Sequence, residues 1–253
     1  MLALYHGLYA TRIYLPFSTL SRQLRSFTRR ARGRKNLRAQ TTRLPQVPWT
    51  RCTATRLPRV WEPGKANGNV RISELGILSA LAAECADGTR LFEIGTFDGR
   101  TTLNLAMNCP AGCEVHTLDL PPDVETRYAI AEGERHMVEK TRSGVRYESY
   151  RSTHPAVVGK IHQWLGDSAA FDYTPFVGTC SLFFVDGSHA YDYALSDTRA
   201  AMLLARPGGV IVWHDYGVWE GVTRALEELE EREHLGLRHI SGTSLVYWKK
   251  PSA

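Results

Sequence analysis

Short apolar runs recur along residues 90–250 and alternate with longer stretches of helical period. LFEI (91–94), VHTLDL (115–120), HQWL (162–165), SLFFV (181–185) and GVIVW (209–213) read as strands, mostly of the nearly continuous apolar kind buried on both faces. ISELGILSALAAEC (72–85), YDYALSDTRAAMLLA (191–205) and EGVTRALEELEEREH (220–234) read as helices, the last with acids on its polar face. Pro207-Gly208-Gly209 is expected to stop the second of these helices. LRHI (237–240) and TSLVYWKK (243–250) read as closing strands. Strands alternating with helices predict an α/β fold with a parallel sheet covered on both sides.

Residues 91–102, LFEIGTFDGRTT, carry the sharpest local signal. An apolar run ends in Glu93, and Gly95 and Gly99 follow before a helix-compatible stretch. This is a buried strand, a glycine turn and a helix start, and glycine there lets backbone approach a ligand closely. Asp119 ends the next strand, where such folds grip a ribose diol. Asp167, Asp186, His214 and Asp215 also fall at strand ends, the rim where open α/β sheets bind ligands. A dinucleotide dehydrogenase would want GxGxxG, and this chain offers GxxxG.

These motifs resemble a family. EIGTFDGRTT, TLDL, GDSAAFD, VDGSHAY and PGGVIVWHDY occur in the order seen in class I S-adenosylmethionine-dependent methyltransferases, near the small-molecule O-methyltransferase and cephalosporin-hydroxylase-like branch. The resemblance spans roughly 180 residues, from about Gly68 to Lys250. It implies a doubly wound, mostly parallel seven-stranded sheet whose last strand is antiparallel. It assigns the cofactor to Glu93, Gly95, Thr96, Gly99, Thr101, Asp119, Asp167 and Ser168. On the acceptor side it points to Asp186 and Asp215 as catalytic residues. Metal-dependent relatives place an acid after the fourth strand and an acidic or amide pair after the fifth. Asp186 and Asp215 match that pattern, and His214 departs from it. Magnesium prefers oxygen ligands, whereas a histidine favours manganese, iron or zinc, or serves as a base. The expected trio is thus Asp186, His214 and Asp215, with the ion left open between magnesium and manganese. His189, three residues after Asp186, is either a base or ligand in the same cleft or part of a helix-capping turn with Ser188. Tyr191, Trp213, Tyr216 and Trp219 surround the same rim, as an acceptor wall or as core.

The implied reaction is methyl transfer to oxygen of a small-molecule, sugar or lipid-linked acceptor. A metal-dependent hydroxylase-like relative and a non-catalytic cofactor-binding or membrane-associated scaffold are the alternatives.

Charge divides the chain. Of 31 Lys and Arg, 13 fall in residues 1–61, which hold no acid, so the remainder carries 18 against all 26 Asp and Glu. The sequence divides into a basic arm (1–40), an extended Pro/Gly-containing linker (41–67) and the methyltransferase-like domain (68–253). Within the arm, Phe17, Leu20, Leu24 and Phe27 share one helical face and Arg22, Arg25, Arg29 and Arg32 the other. Such a helix suits an anionic membrane surface, an organelle transit peptide or a cap packed on the domain. Nucleic acid is disfavoured, because no RNA-binding module is visible; a homo-oligomer stays open. Residues 121–160 form a long connection expected to hold a helix and a flap shaping the acceptor site. His136, Arg142, Arg146, Tyr147, Tyr150 and Arg151 are its candidate contacts. Five cysteines, an odd number without a second closely spaced pair, fit a reducing, cytoplasmic setting, with peripheral membrane contact through the arm as an addition.

Overall fold

The computed structural model describes residues 10–12, 15, 41–61, 70–140 and 142–252. Its strands are β1 (Ala10–Arg12), β2 (Gln46–Val47), β3 (Arg59–Trp61), β4 (Arg90–Ile94), β5 (Glu114–Asp119), β6 (Ile161–Leu165), β7 (Cys180–Val185), β8 (Ala205–Trp213), β9 (Arg238–Ile240) and β10 (Val246–Lys249). Its helices are α1 (Ile72–Ala83), α2 (Arg100–Asn108), α3 (Arg135–Lys140), α4 (Val145–Glu148), α5 (Pro155–Val158), α6 (Tyr191–Leu204) and α7 (Glu220–Glu233). The proposed basic helix of the arm lies outside the described residues. Among the described residues, no helix is long and apolar enough to cross a membrane.

The main sheet runs β2-β9-β10-β8-β7-β4-β5-β6. It is parallel throughout except for β10, which is antiparallel to both β8 and β9. Eight strands replace the expected seven. The additional one is β2, drawn from the segment read as a linker and paired with β9 through Gln46–His239 and Val47–Ile240. Two residues between prolines carry no alternating pattern, so this strand had no signature of its own.

Side chains alternate across the sheet as a period of two requires. On one face Leu91, Val115, Leu182 and Phe184 meet α1 and α2. On the other, Phe92, Ile94, Phe183 and Val185 meet α6 and α7. The odd-numbered face of β4 also carries Glu93, which is therefore driven into the α2 interface. The helix α6 ends at Leu204, just before Pro207–Gly209, as expected. These three residues then lie inside β8, where the register with β7 shifts between Cys180 and Leu182 and Gly208 takes φ +75°. A β-bulge uses the same residues that end helices, so the motif serves both.

The upstream segment is built into the domain. β1 pairs antiparallel with β3, Leu15 is buried in the α1/α2 core, and its amide donates to the Arg56 carbonyl at 3.2 Å. Trp61 is buried, donates its amide to Asn104 Oδ1 at 2.7 Å and stacks on Tyr150 with ring centres 4.6 Å apart.

Candidate active site

The sheet reverses its order of travel between β4 and β7: from β4 the chain proceeds outward to β5 and β6, then returns to the other side at β7. Loops leaving β4 and β7 separate at that point and open a crevice, the usual ligand site of such sheets. A cavity of about 590 Å³ lies there. Among its lining residues are Gly95, Thr96, Thr101, Asp119, Asp167, Ser168, Asp186, His189 and Asp215. Nine of the twelve residues expected at the site thus share one cavity.

Glu93, Gly99 and His214 are the other three, and each lies behind the wall. Glu93 is fully buried, and its Oε2 accepts from the hydroxyls of Thr102 and of Thr117, the latter at 2.7 Å. Burial raises its pKa to about 8, against the pull of the two hydroxyls. Gly99 has φ +85°, and a β-carbon on it would come within 2.5 Å of the Tyr147 ring. Gly95 has φ +97°, and its β-carbon would stand 2.0 Å from the Asp186 carbonyl oxygen. Both glycines therefore make room for neighbouring chain. Close approach to a ligand is not needed to explain them.

Asp119 presents its carboxylate at the end of β5. Burial pushes its pKa up to about 6, opposed by the Ser143 hydroxyl and the backbone amides of Phe97, Leu120 and Thr96. Asp167 is held by Tyr193 Oη at 2.8 Å and by the amides of Ala169 (3.0 Å) and Arg127 (2.7 Å). Beneath it, Asp197 on α6 is 1% exposed and neither of its carboxylate oxygens has a hydrogen-bond partner. Burial pushes it up to about 7, with only the nearby Ser168 hydroxyl acting in the other direction.

At the opposite end stand two histidines among four carboxylates. His189 Nε2 meets Asp215 Oδ2 at 2.7 Å, and its Nδ1 meets Glu134 Oε1. Burial opposes a charge there, but Asp215 and Glu134 override it and raise His189 to about 9. His214 is buried with its Nδ1 2.9 Å from Asp186 and 3.3 Å from Asp215, and its Nε2 3.5 Å from Glu74 of α1. None of these His214 contacts is aligned as a hydrogen bond. Burial again opposes the charge, and Asp215 and Asp186 carry its pKa well above the ordinary range. Burial alone would raise Asp215, yet His214 and His189 hold it far below the usual carboxylate range. Asp186 is raised, burial outweighing His214. Asp215 is held at φ +61°, a left-handed backbone that few non-glycine residues adopt.

Among the described residues, one group of three or more could hold a metal ion: Asp186, His189 and Asp215, with candidate ligand atoms within 4.8 Å of one another. This differs from the expected trio. The two imidazoles point differently because His189 lies near the end of the loop before α6, lining the cavity, while His214 directly follows β8 and is buried.

Glu134 had no signal in the sequence, and the structure gives it four contacts. Besides the His189 ring, it accepts from the amides of His189 (2.5 Å) and Ala131 (2.8 Å) and from Ser188 Oγ (2.8 Å). The other insertion residues mostly serve the fold. Arg146 pairs with Asp98 at 2.5 Å, Tyr147 and Tyr150 are buried, Arg151 pairs with Glu148 on the surface and His136 is exposed; Arg142 alone of the six lines the cavity. Of the four rim aromatics, Trp219 stacks on His189 at 4.4 Å. Trp213 is core, its indole donating to Thr198. The Tyr216 hydroxyl accepts from the amides of Arg43 and Leu44, each at 3.0 Å, and donates to Glu227. Tyr191 donates to Glu228.

Residues 92–216 match the family model described as a methyltransferase domain. No curated protein matches the chain. Among solved structures, the chain is similar to the O-methyltransferase NovP, at 16% identity and TM-score 0.58, over 75% of this chain and 84% of that one. It is also similar to the cofactor-bound protein Rv0187 from MTB, at 18% identity and TM-score 0.51, over 76% and 85% respectively. A protein from Corynebacterium glutamicum is similar at 15% identity and TM-score 0.50, over 70% and 80%. At such identities the likeness establishes the fold. Strand order and the antiparallel β10 agree with that fold, and within it residues 92–216 carry the match to a methyltransferase domain.

Proposed function

We propose that the chain is an S-adenosylmethionine-dependent methyltransferase that acts on an oxygen of a small-molecule, sugar or lipid-linked acceptor. The observation that carries this reading is the single cavity joining Asp119 to the Asp186–His189–Asp215 cluster across the switch point of the sheet. Its volume lies in the range of small-molecule sites. The donor set fits the cofactor. Asp119 suits a ribose diol, the turn at Gly95 and Thr96 suits the methionine part, and Asp167 and Ser168 stand on the adenine side. When bound, S-adenosylmethionine supplies an electrophilic methyl on a sulfonium.

The chain's own residues hold the acceptor hydroxyl and remove its proton. Both nitrogens of His189 and of His214 face carboxylates, so neither ring offers an open lone pair. Asp186 is 19% exposed, and its Oδ1 faces His214, which leaves Oδ2 for an incoming hydroxyl. Its raised pKa strengthens it as a base. The hydroxyl proton therefore goes to Asp186 Oδ2, and the protonated histidines stabilise the surrounding negative charge. The O-methyltransferase description of NovP supports oxygen as the acceptor atom.

Calorimetric titration with S-adenosylmethionine tests the reading. The wild-type chain binds, and Asp119→Ala binds at least about tenfold more weakly, the loss of one charged hydrogen-bond acceptor. No heat with the wild type, or equal affinity of the variant, overturns it.

A further inference from the structure

One buried carboxyl, that of Asp197, stands outside both the hydrogen bonds of the fold and the path of the proton. It lies on α6, 1% exposed, and neither oxygen has a hydrogen-bond partner. Its place is specific. A β-carbon on Gly187 would stand 3.0 Å from Asp197 Oδ2, so the group lies directly behind Gly187. The Ser168 hydroxyl stands beside it. Gly187 and Ser168 both line the cavity. Asp197 is therefore one layer beneath the adenine end.

The helix sets this up. Tyr193 and Asp197 are four residues apart on α6 and share one face. Tyr193 Oη donates to Asp167 Oδ1 at 2.8 Å, and Asp197 faces the next residue of the same loop, Ser168. Asp167 Oδ1 also accepts from the Ala169 amide, and its Oδ2 from the Arg127 amide. A carboxylate can accept about four hydrogen bonds, so Asp167 keeps room for about one more. That one suits the amino group of adenine.

A buried carboxyl with no aligned donor is held neutral, because ionisation would leave an unpaired charge out of water. Its pKa accordingly rises to about 7. The elements around it bring Asp167 after β6 and Tyr173 in the next turn, and neither is a cation that would draw out the proton. A carboxylic acid is a donor, whereas a carboxylate only accepts. The acid therefore gives its hydrogen to Ser168 Oγ, and the Ser168 hydrogen turns toward the cavity. A carboxylate would take that hydrogen and leave the wall at Ser168 with lone pairs only.

We propose that Asp197 is the positioning residue that gives the adenine end its polarity: as a neutral acid it donates to Ser168 Oγ, which frees the Ser168 hydroxyl to donate to N1 of the base while Asp167 accepts from the exocyclic amine. The proposal rests on the methyltransferase reading for the presence of adenine. Ser168 and Asp167 then read the base edge as one acceptor beside one donor. Hypoxanthine carries the opposite pattern, a carbonyl beside an N1–H, and meets both residues with its partners reversed.

The test uses the full chain and two ligands, S-adenosylhomocysteine and S-inosylhomocysteine, which differ only in the base. Their affinities are measured by calorimetric titration at pH 5.5 and pH 8. The ratio of the two cancels what Asp119 and the rest of the cavity contribute to both. The wild type at pH 5.5 should favour adenine at least about tenfold, since a reversed edge leaves buried polar groups unpaired. At pH 8, where Asp197 ionises, the ratio should shrink at least about threefold. Asp197→Asn, which can donate an N–H but not lose it, should keep the larger ratio at both pH values. Asp197→Leu, close in size, should bring the ratio down at pH 5.5 to the wild-type value at pH 8 or below. Melting curves verify that each variant is folded. A wild-type ratio independent of pH overturns the proposal, as does a wild-type ratio at pH 5.5 in folded Asp197→Leu. Binding of S-adenosylhomocysteine without these shifts overturns this proposal alone, whereas no binding of it overturns the methyltransferase reading as well.

Discussion

Gly95 and Asp186 are interlocked: the β-carbon that any other residue would bring to position 95 falls 2.0 Å from the Asp186 carbonyl oxygen. Gly95 N in turn donates to Leu118 O at 2.8 Å, and Asp186 N donates to Ile94 O at 2.9 Å. The Gly95 turn and Asp186, the residue proposed to take the proton, are therefore parts of one backbone junction. Gly95→Ala should displace both. With φ +97° added to the clash, the expected loss is about 2–4 kcal/mol. Thermal unfolding of the variant measures it, and a melting temperature equal to wild type would contradict the close approach.

The two ends of the cavity should separate kinetically. Asp186→Asn keeps the shape and removes the base, so kcat should fall about 10²–10⁴-fold. Its affinity for S-adenosylmethionine should stay within about threefold, a difference of under 1 kcal/mol. Transfer of labelled methyl to an acceptor, beside a binding titration, gives both values. Normal turnover in Asp186→Asn would remove that residue from the reaction.

Asp197 predicts a pH dependence of stability. Its pKa is raised to about 7 from an ordinary value of about 3.9. Between these values the folded chain holds a proton that the unfolded chain has released, so stability falls as pH rises through this window. Asp197→Asn removes that loss. At pH 8 the variant should be more stable than wild type by a few kcal/mol, about 3 at most from a shift of this size with relaxation allowed. At pH 4 the advantage should vanish. Parallel melting curves from pH 4 to pH 8 check the slope; identical slopes would mean that Asp197 is ionised and satisfied in the folded chain.

Leu15 should behave as a core residue. It is 1% exposed within the α1/α2 cluster. Leu15→Ala should cost about 2–4 kcal/mol. Removing residues 1–40 should destabilise the domain as well as remove the basic segment. Liposome sedimentation should therefore compare the wild type with charge-reversal variants at Arg22, Arg25 and Arg29. Unchanged sedimentation with anionic vesicles would exclude tethering through those arginines.

The strands and their rim were legible because two independent signals agreed. LFEI and SLFFV read as buried strands from apolar continuity, and Asp119, Asp186 and Asp215 stood at their ends by position alone. The glycines were legible as a turn, but their reason was not, since a sequence does not show that Asp186 and Tyr147 press against them. Glu134 was illegible. It lies in a turn before a short helix, with no periodicity, and the ring it holds, His189, is 55 residues away. The exchange of positions between His189 and His214 was hidden for a related reason: both follow an apolar strand, and only the direction of the backbone after it tells which ring reaches the cavity. Arg146 and Tyr150 read as free contacts because their partners, Asp98 and Trp61, are distant in the chain.

Tyr216 follows Asp215 directly, and its hydroxyl is gripped by the amides of Arg43 and Leu44, next to a strand that extends the sheet edge at Gln46. The stretch at 41–47 is thus a buttress for the acceptor rim, and trimming it as though it were spare tether would leave Asp215, already in a left-handed backbone, leaning on an unsupported neighbour.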